Sequence, residues 1–284
     1  WRTGGSKMFV PYPGKVKVLD LIRGMIIQSG NDACVVLAEG IAGSQAAFVD
    51  QMNKTAQALG LTNSHFATVN GLPDPNHYMS PRDLVTLSEH LITDFPQYYK
   101  FESEKEFTFN GIKQGNRNPL LYKDLGADGI KTGHTEEAGY GLVGSAIRDG
   151  RRIIMVLSGL PTMNARTQES DRVLEWAFRA FEDLTVAHKG TAIDQAPVWL
   201  GDKPTIPVAT TQDIVMTVPR GTHTHLKVTA VYDGPIQAPV TVGEKVGALH
   251  VEGAGAPPAD YPLVAMAPAA KLGPVARAAE GIAQ

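Results

Sequence analysis

Two short strings in this chain hold groups that can carry chemistry together. Ser29-Gly30-Asn31 places a hydroxyl and an amide between two apolar segments. Lys131-Thr132-Gly133, within Asp128-Gly129-Ile130-Lys131-Thr132-Gly133-His134, places an amine beside a hydroxyl and a bare backbone. Each string has a plain structural reading: polar residues between helices are ordinary turn and cap formers, and the second string can be one end of an exposed strand. A phosphate-loop reading of the second fails, because that loop needs Gly directly before the Lys and Ser or Thr directly after it; here Ile130 separates Gly129 from Lys131. The other reactive types read as structure. Cys34, the single cysteine, sits among apolar residues as a small core side chain, and it excludes an internal disulfide or a multi-cysteine metal site. Glu136 and Glu137 are adjacent, so on a strand they face opposite ways and cannot pair as catalytic carboxylates. His223 and His225 can share a strand face but have no third ligand within reach by sequence. Asn53-Lys54-Thr55 spells a glycosylation sequon inside a helical stretch.

Elements able to position the two strings are visible in the pattern. Residues 16–28 read as a helix with Val18, Leu19, Ile22, Met25 and Ile26 on one stripe, ending near Gly30. Residues 32–41 and 44–59 read as further helices, the second capped by Ser44 and stopped by Gly60. Ser80-Pro81-Arg82-Asp83 opens a helix that continues through 84–92. Asn110-Gly111 joins strands at 106–109 and 112–114, and Asp149-Gly150 joins strands at 140–147 and 152–158. Residues 167–181 return to helix, with Val173, Leu174, Ala177 and Phe181 at helical spacing. From Thr185 onward short β-type runs (213–218, 226–232, 246–251) alternate with Gly and Pro turns, and the small-residue stretch 265–284 is expected to end in a helix. The division predicted is residues 1–184, mixed α and antiparallel β, then residues 185–284, a small β-rich domain.

Taken in order, an S-x-N element followed by a K-T-G element resembles the serine-acylating signature of penicillin-binding proteins and related β-lactamases. Acyl transfer from an amide needs a nucleophile, a proton carrier to the leaving amine and donors for an oxyanion. The likeness extends along the chain: Gly5-Ser6-Lys7-Met8-Phe9, Leu21-Ile22-Arg23-Gly24, Gly43-Ser44-Gln45, Asn116-Arg117-Asn118 and residues 128–135 are similar to the low-molecular-mass D-alanyl-D-alanine carboxypeptidases, and Pro197-Val198-Trp199 and residues 214–221 to that family's small β domain. The resemblance implies an α+β fold, a penicillin-binding/β-lactamase-like domain followed by a small all-β domain. It implies removal of the terminal D-Ala from peptidoglycan stem peptides, acylation by β-lactam antibiotics and a periplasmic location. Carried over by position, Ser29 is the proton-shuttle serine, Asn31 the substrate-binding asparagine and Lys131 the cleft lysine. Thr132 and Gly133 lie on the substrate-binding strand, and His134 supplies an oxyanion N–H. Arg117 and Arg166 match arginines at the carboxylate end of the substrate, where a guanidinium binds bidentately; the alternative for each is a structural ion pair. No cofactor or metal is implied.

The family's nucleophile is the Ser of S-x-x-K, and no Lys here is preceded three residues earlier by Ser: Lys7 follows Gly4, Lys17 follows Gly14 and Lys54 follows Gln51. The expectation is therefore an N-terminal segment carrying S-x-x-K beyond this chain, which by itself is inactive and lacks part of its core. Asn70 stands where some relatives have His before Gly-Leu. Relatives also end in a membrane-lying helix; residues 271–284 hold only Leu272, Val275 and Ile282 as large apolars, too few for firm anchoring, so any membrane contact is peripheral. Alternatives from the same residues are a peptidoglycan-binding module without hydrolysis, a D,D-endopeptidase and a β-lactamase; the small β module favours the carboxypeptidase. The 284 residues, 26 basic against 29 acidic for a net charge of −3, are enough for two domains and give no basic stripe of the kind nucleic acid requires.

Overall fold

The computed structural model describes residues 3–274. The chain divides into two compact units, Trp1–Ala177 and Phe178–Gln284, so the boundary falls near the end of a helix, ahead of the texture change read at Leu184.

The first unit mixes helices with small antiparallel sheets. Helices α1 (Val18–Ile27), α2 (Asn31–Ala42) and α3 (Gln45–Ala58) follow one another closely. Ser44 caps α3 by accepting from the Ala47 N–H, and Gly43 ends α2 in the left-handed region at φ 80°. A two-stranded ladder, β1 (Ser64–His65) with β2 (Tyr78–Met79), leads to α4 (Pro81–Asp94), whose Ser80 cap accepts from the Asp83 N–H. After α5 (Pro96–Tyr99) and a 3₁₀ turn (Lys100–Ser103) comes the hairpin β3 (Glu106–Phe109)–β4 (Ile112–Gly115). Strands β5 (Ala127–Thr135), β6 (Gly139–Arg148) and β7 (Arg151–Leu160) form an antiparallel sheet in that order. Both hairpin turns carry positive φ at two residues, 48° and 77° at Asn110-Gly111 and 51° and 79° at Asp149-Gly150, the backbone that lets two strands keep their twist across a two-residue loop. Helix α6 (Met163–Ala180) closes the unit.

Four local expectations change. On α1 the buried positions are Leu21, Gly24, Ile26 and Ile27, while Val18 is 63% exposed and Leu19 40%. The helix turns this face inward because Gly24 packs flush on the fully buried Met8: a side chain starting at Gly24 would lie 2.3 Å from the Met8 sulfur. Helix α6 begins four residues earlier than read, at Met163, with Ala165 N–H donating to the Thr162 hydroxyl at its start; Leu174 and Ala177 are buried as expected, but Phe181 already belongs to a strand. His223 and His225 stand in a 3₁₀ turn rather than on a strand, and Glu136 and Glu137 follow β5 in a turn.

The second unit is all β. Strands β8 (Phe181–Ala187) and β11 (Ile214–Pro219) pair with each other. The larger sheet has β9 (Asp194–Trp199), β10 (Thr205–Thr210), β12 (Leu226–Val231), β13 (Ile236–Gln237), β14 (Lys245–Gly253) and β15 (Ala256–Ala265) in the order β12-β14-β15-β10-β9-β13. Ile206, Val208, Val251 and Leu263 of this sheet are almost fully buried, with Val218 of β11 in the same core, the alternation expected of strands with one covered face. The helix expected at the end of residues 265–284 lies mostly outside the described residues, as does most of the weakly apolar stretch 271–284. Among the described residues no single helix is long and apolar enough to cross a membrane.

Candidate active site

Ser29 occupies the turn between α1 and α2 with φ 56°, a left-handed backbone that costs a non-glycine residue on the order of 1 kcal/mol and is held only where neighbours enforce it. Here they do. Gly30 N–H donates to Gly24 O at 3.0 Å, and Asn31 N–H donates to Ser6 O at 2.9 Å. The buried Asp32 carboxylate then accepts from Met8 N–H at 2.9 Å, Val10 N–H at 3.0 Å and Ala33 N–H at 3.1 Å. Asp32 thus stitches residues 8–10 to the start of α2 and fixes the turn that presents Ser29.

Strand β5 delivers Lys131 to the same place, 102 residues later in sequence. Its Nζ donates to Ser29 Oγ at 2.9 Å and to Thr132 O at 3.1 Å. Because Oγ accepts from the ammonium, the hydroxyl proton is free to point elsewhere. Lys131 is pushed down to about 8, first by burial and then by the like charges of Arg117 and Arg166, with Glu102 pulling the other way. Glu102, in the turn before β3, is buried and pushed up to about 7 by that burial, opposed by Lys131.

The remaining residues singled out from sequence take different positions. Asn31 lies beside Ser29, its side-chain amide donating to Gly4 O at 2.9 Å. Thr132 is buried. Gly133 is exposed, with nothing within 4 Å of the point where a side chain would begin. His134 pairs across the ladder with Tyr140, the two rings 3.9 Å apart, and the Arg166 guanidinium lies 5.8 Å from the Tyr140 ring centre. Neither Arg117 nor Arg166 forms an ion pair among the described residues, although Arg166 is only 4% exposed and its Nε has no hydrogen-bond partner there. Arg117 and Arg166 both bear on Lys131, pulling it down, and Arg117 does the same to Arg166. Cys34 is pushed up to about 11 by burial, so its thiol stays protonated near neutrality. Asn53 of the sequon is tied down by bonds to both the carbonyl and the N–H of Phe66.

This arrangement offers a hydroxyl under an ammonium, a strand edge and two guanidiniums with no ion-pair partner among the described residues. In the sheet order β5-β6-β7 the outer side of β5 has no strand beside it among the described residues, so an extended peptide can lie along it. Asp32 and Glu102 were not among the residues marked from sequence. Asp32 reads locally as an acid in the first turn of a helix, and Glu102 stands near Glu104 and Glu106 in what reads as a solvated charge run.

A family model described as D-alanyl-D-alanine carboxypeptidase matches residues 1–166, and one described as penicillin-binding protein 5, C-terminal domain, matches residues 181–269. The D-alanyl-D-alanine carboxypeptidase DacA of Haemophilus influenzae is 44% identical over 245 residues, covering 85% of this chain and 62% of that protein. The chain thus spans less than two thirds of that relative. The crystal structure of penicillin binding protein 5 from Haemophilus influenzae superposes with a TM-score of 0.85 at 42% identity, over 94% of this chain and 78% of that one. The crystal structure of penicillin-binding protein D2 from Listeria monocytogenes in its ampicillin-bound form superposes with a TM-score of 0.57 at 31% identity, over 63% of this chain and 74% of that one.

Proposed function

The chain belongs to the D-alanyl-D-alanine carboxypeptidase family, and from that premise we propose that it supplies the Ser29/Asn31 and Lys131 elements of a serine-type D-Ala-D-Ala carboxypeptidase acting on peptidoglycan stem peptides. The nucleophile, in this reading, is the serine of an S-x-x-K element outside these 284 residues, since no Lys in them has Ser three positions before it. The substrate places the enzyme in the periplasm, and peripheral contact with the inner membrane is part of the same proposal, read out by membrane fractionation.

The roles follow from the groups present. The nucleophilic serine oxygen attacks the carbonyl carbon between the two D-Ala residues, and the backbone N–H of His134 contributes to holding the oxyanion. Ser29 relays the proton to the leaving amine, its Oγ held by Lys131 at 2.9 Å. The C–N bond breaks, free D-Ala departs, and water then hydrolyses the acyl-enzyme. β-Lactams enter by the same attack and are retained as the acyl-enzyme. Asn31 holds a substrate amide, Thr132 and Gly133 leave room for the peptide along β5, and Arg117 and Arg166 receive the terminal carboxylate.

The observation that carries this reading is the cation cluster: two guanidiniums with no acid partner among the described residues, beside a lysine bonded to the shuttle serine. A free carboxylate at the substrate's end is what that cluster suits. In the full-length protein, a stem pentapeptide ending in D-Ala-D-Ala should release D-Ala. The same peptide with its terminal carboxylate amidated should lose on the order of 10²-fold in kcat/KM, the scale of an unanswered charged pair. Equal turnover of the two peptides removes the carboxylate-recognition role of Arg117 and Arg166.

A further inference from the structure

Glu102 is a buried acid beside the cleft that the chemistry above leaves unused. It is 6% exposed, and its Oε2 has no hydrogen-bond partner among the described residues. The 3₁₀ turn that carries it presses on β5: a side chain starting at Gly129 would lie 3.2 Å from the Glu102 Cβ, two residues before Lys131. Asn116 Nδ2 reaches the Glu102 carbonyl at 3.4 Å and the Glu104 carbonyl at 3.1 Å, which holds the turn in place.

The other charges around this turn are already answered. Strand β5 also brings Asp128, but Arg152 of β7 pairs with it at 2.8 Å and the Tyr99 hydroxyl donates to it at 2.9 Å. Tyr99 itself is held protonated by burial. Helix α1 brings Arg23, paired with Glu104 at 2.8 Å and lying over the Phe101 ring. Lys100 lies over the same ring at 5.5 Å. From α2, the Cys34 thiol is neutral near pH 7. Lys131 is the charge that acts on Glu102, and Glu102 is the foremost charge that supports Lys131 against Arg117 and Arg166.

We propose that Glu102 is a positioning residue for Lys131: its buried carboxylate is the counter-charge that keeps Lys131 an ammonium, bonded to Ser29, in a cleft otherwise crowded with cations. The consequence for turnover rests on the carboxypeptidase reading, whereas the coupling itself is a property of this folded chain. The sign is fixed. An ionised Glu102 stabilises the ammonium, so removing its charge must move the Lys131 titration to lower pH.

The test is a pH titration of the Lys131 side chain by NMR in the full-length protein labelled with 13C,15N-lysine, the signal assigned with Lys131→Arg. In Glu102→Gln the midpoint should fall by roughly half a unit to one unit, and Glu102→Asp should bring it back toward the unsubstituted value. An unmoved midpoint in folded Glu102→Gln overturns the proposal. Should that variant fail to fold by circular dichroism, the Glu102 Cδ signal decides instead: its midpoint should rise in Lys131→Gln relative to the unsubstituted protein, and an unmoved midpoint overturns the proposal. In the full-length protein the alkaline limb of penicillin acylation should move with the Lys131 midpoint. If Lys131 shifts and the limb does not, the coupling stands and it is the catalytic role given to Lys131 that fails.

Discussion

Replacing Lys131 by alanine in the full-length protein is expected to slow acylation by a fluorescent penicillin by about 10²–10³-fold, corresponding to ~3 kcal/mol of transition-state stabilisation. The size follows from where the ammonium sits. It is half-buried on β5, donates to Ser29 Oγ at 2.9 Å and turns back to its own strand through Thr132 O at 3.1 Å, so its charge acts where a single electrostatic contact counts for more than in bulk water. Lys131→Ala removes both the charge and the bond to Ser29 Oγ. Stopped-flow or gel-based acylation rates, measured with Lys131→Arg as the charge-keeping control, check this. An acylation rate unchanged in Lys131→Ala removes the lysine from the mechanism.

Asp32→Ala should be the costliest single change to the scaffold, about 3 kcal/mol of unfolding free energy by urea denaturation. The carboxylate accepts three backbone N–H groups, from Met8, Val10 and Ala33, and Met8 is fully buried. Alanine leaves buried donors unanswered at about 1–3 kcal/mol each and also removes a negative charge from the first turn of α2. Asp32→Asn, which keeps one acceptor oxygen, should fall between. The same substitution frees residues 6–10 from the turn that carries Ser29 and Asn31, so acylation of the full-length protein should fall along with stability. A loss below ~1 kcal/mol shows that Asp32 does not hold this turn.

What the sequence made legible was local. Asn110-Gly111 and Asp149-Gly150 name their turns because the turn itself needs positive φ at both residues, and Ser44 and Ser80 name their helix starts because the cap bond spans three residues. The pairing of Ser29 with Lys131 bridges 102 residues; nothing in the spacing dictates it, and only the likeness to a known family pointed there. Tertiary effects were not legible. The inward face of α1 is chosen by Met8 fitting against Gly24, a contact with a residue outside the helix, which is why Val18 and Leu19 fit the helical stripe and still face out. Asp32 and Glu102 are acids in polar company along the chain, and their importance comes from burial, which depends on what the fold lays over them. The start of α6 at Met163 was missed because its cap, Thr162, follows Gly159-Leu160-Pro161, which reads as a turn.

The intact mass of the full-length protein after exposure to benzylpenicillin is the most direct test of this site. The reading of Ser29, Asn31 and Lys131 as parts of a serine acyl-transfer site requires a single stoichiometric penicilloyl adduct, located on the serine of an S-x-x-K sequence and blocked by prior acylation with a second β-lactam. A full-length protein that stays at its unmodified mass at saturating penicillin, or one that carries the adduct on a residue remote from this cleft, contradicts it.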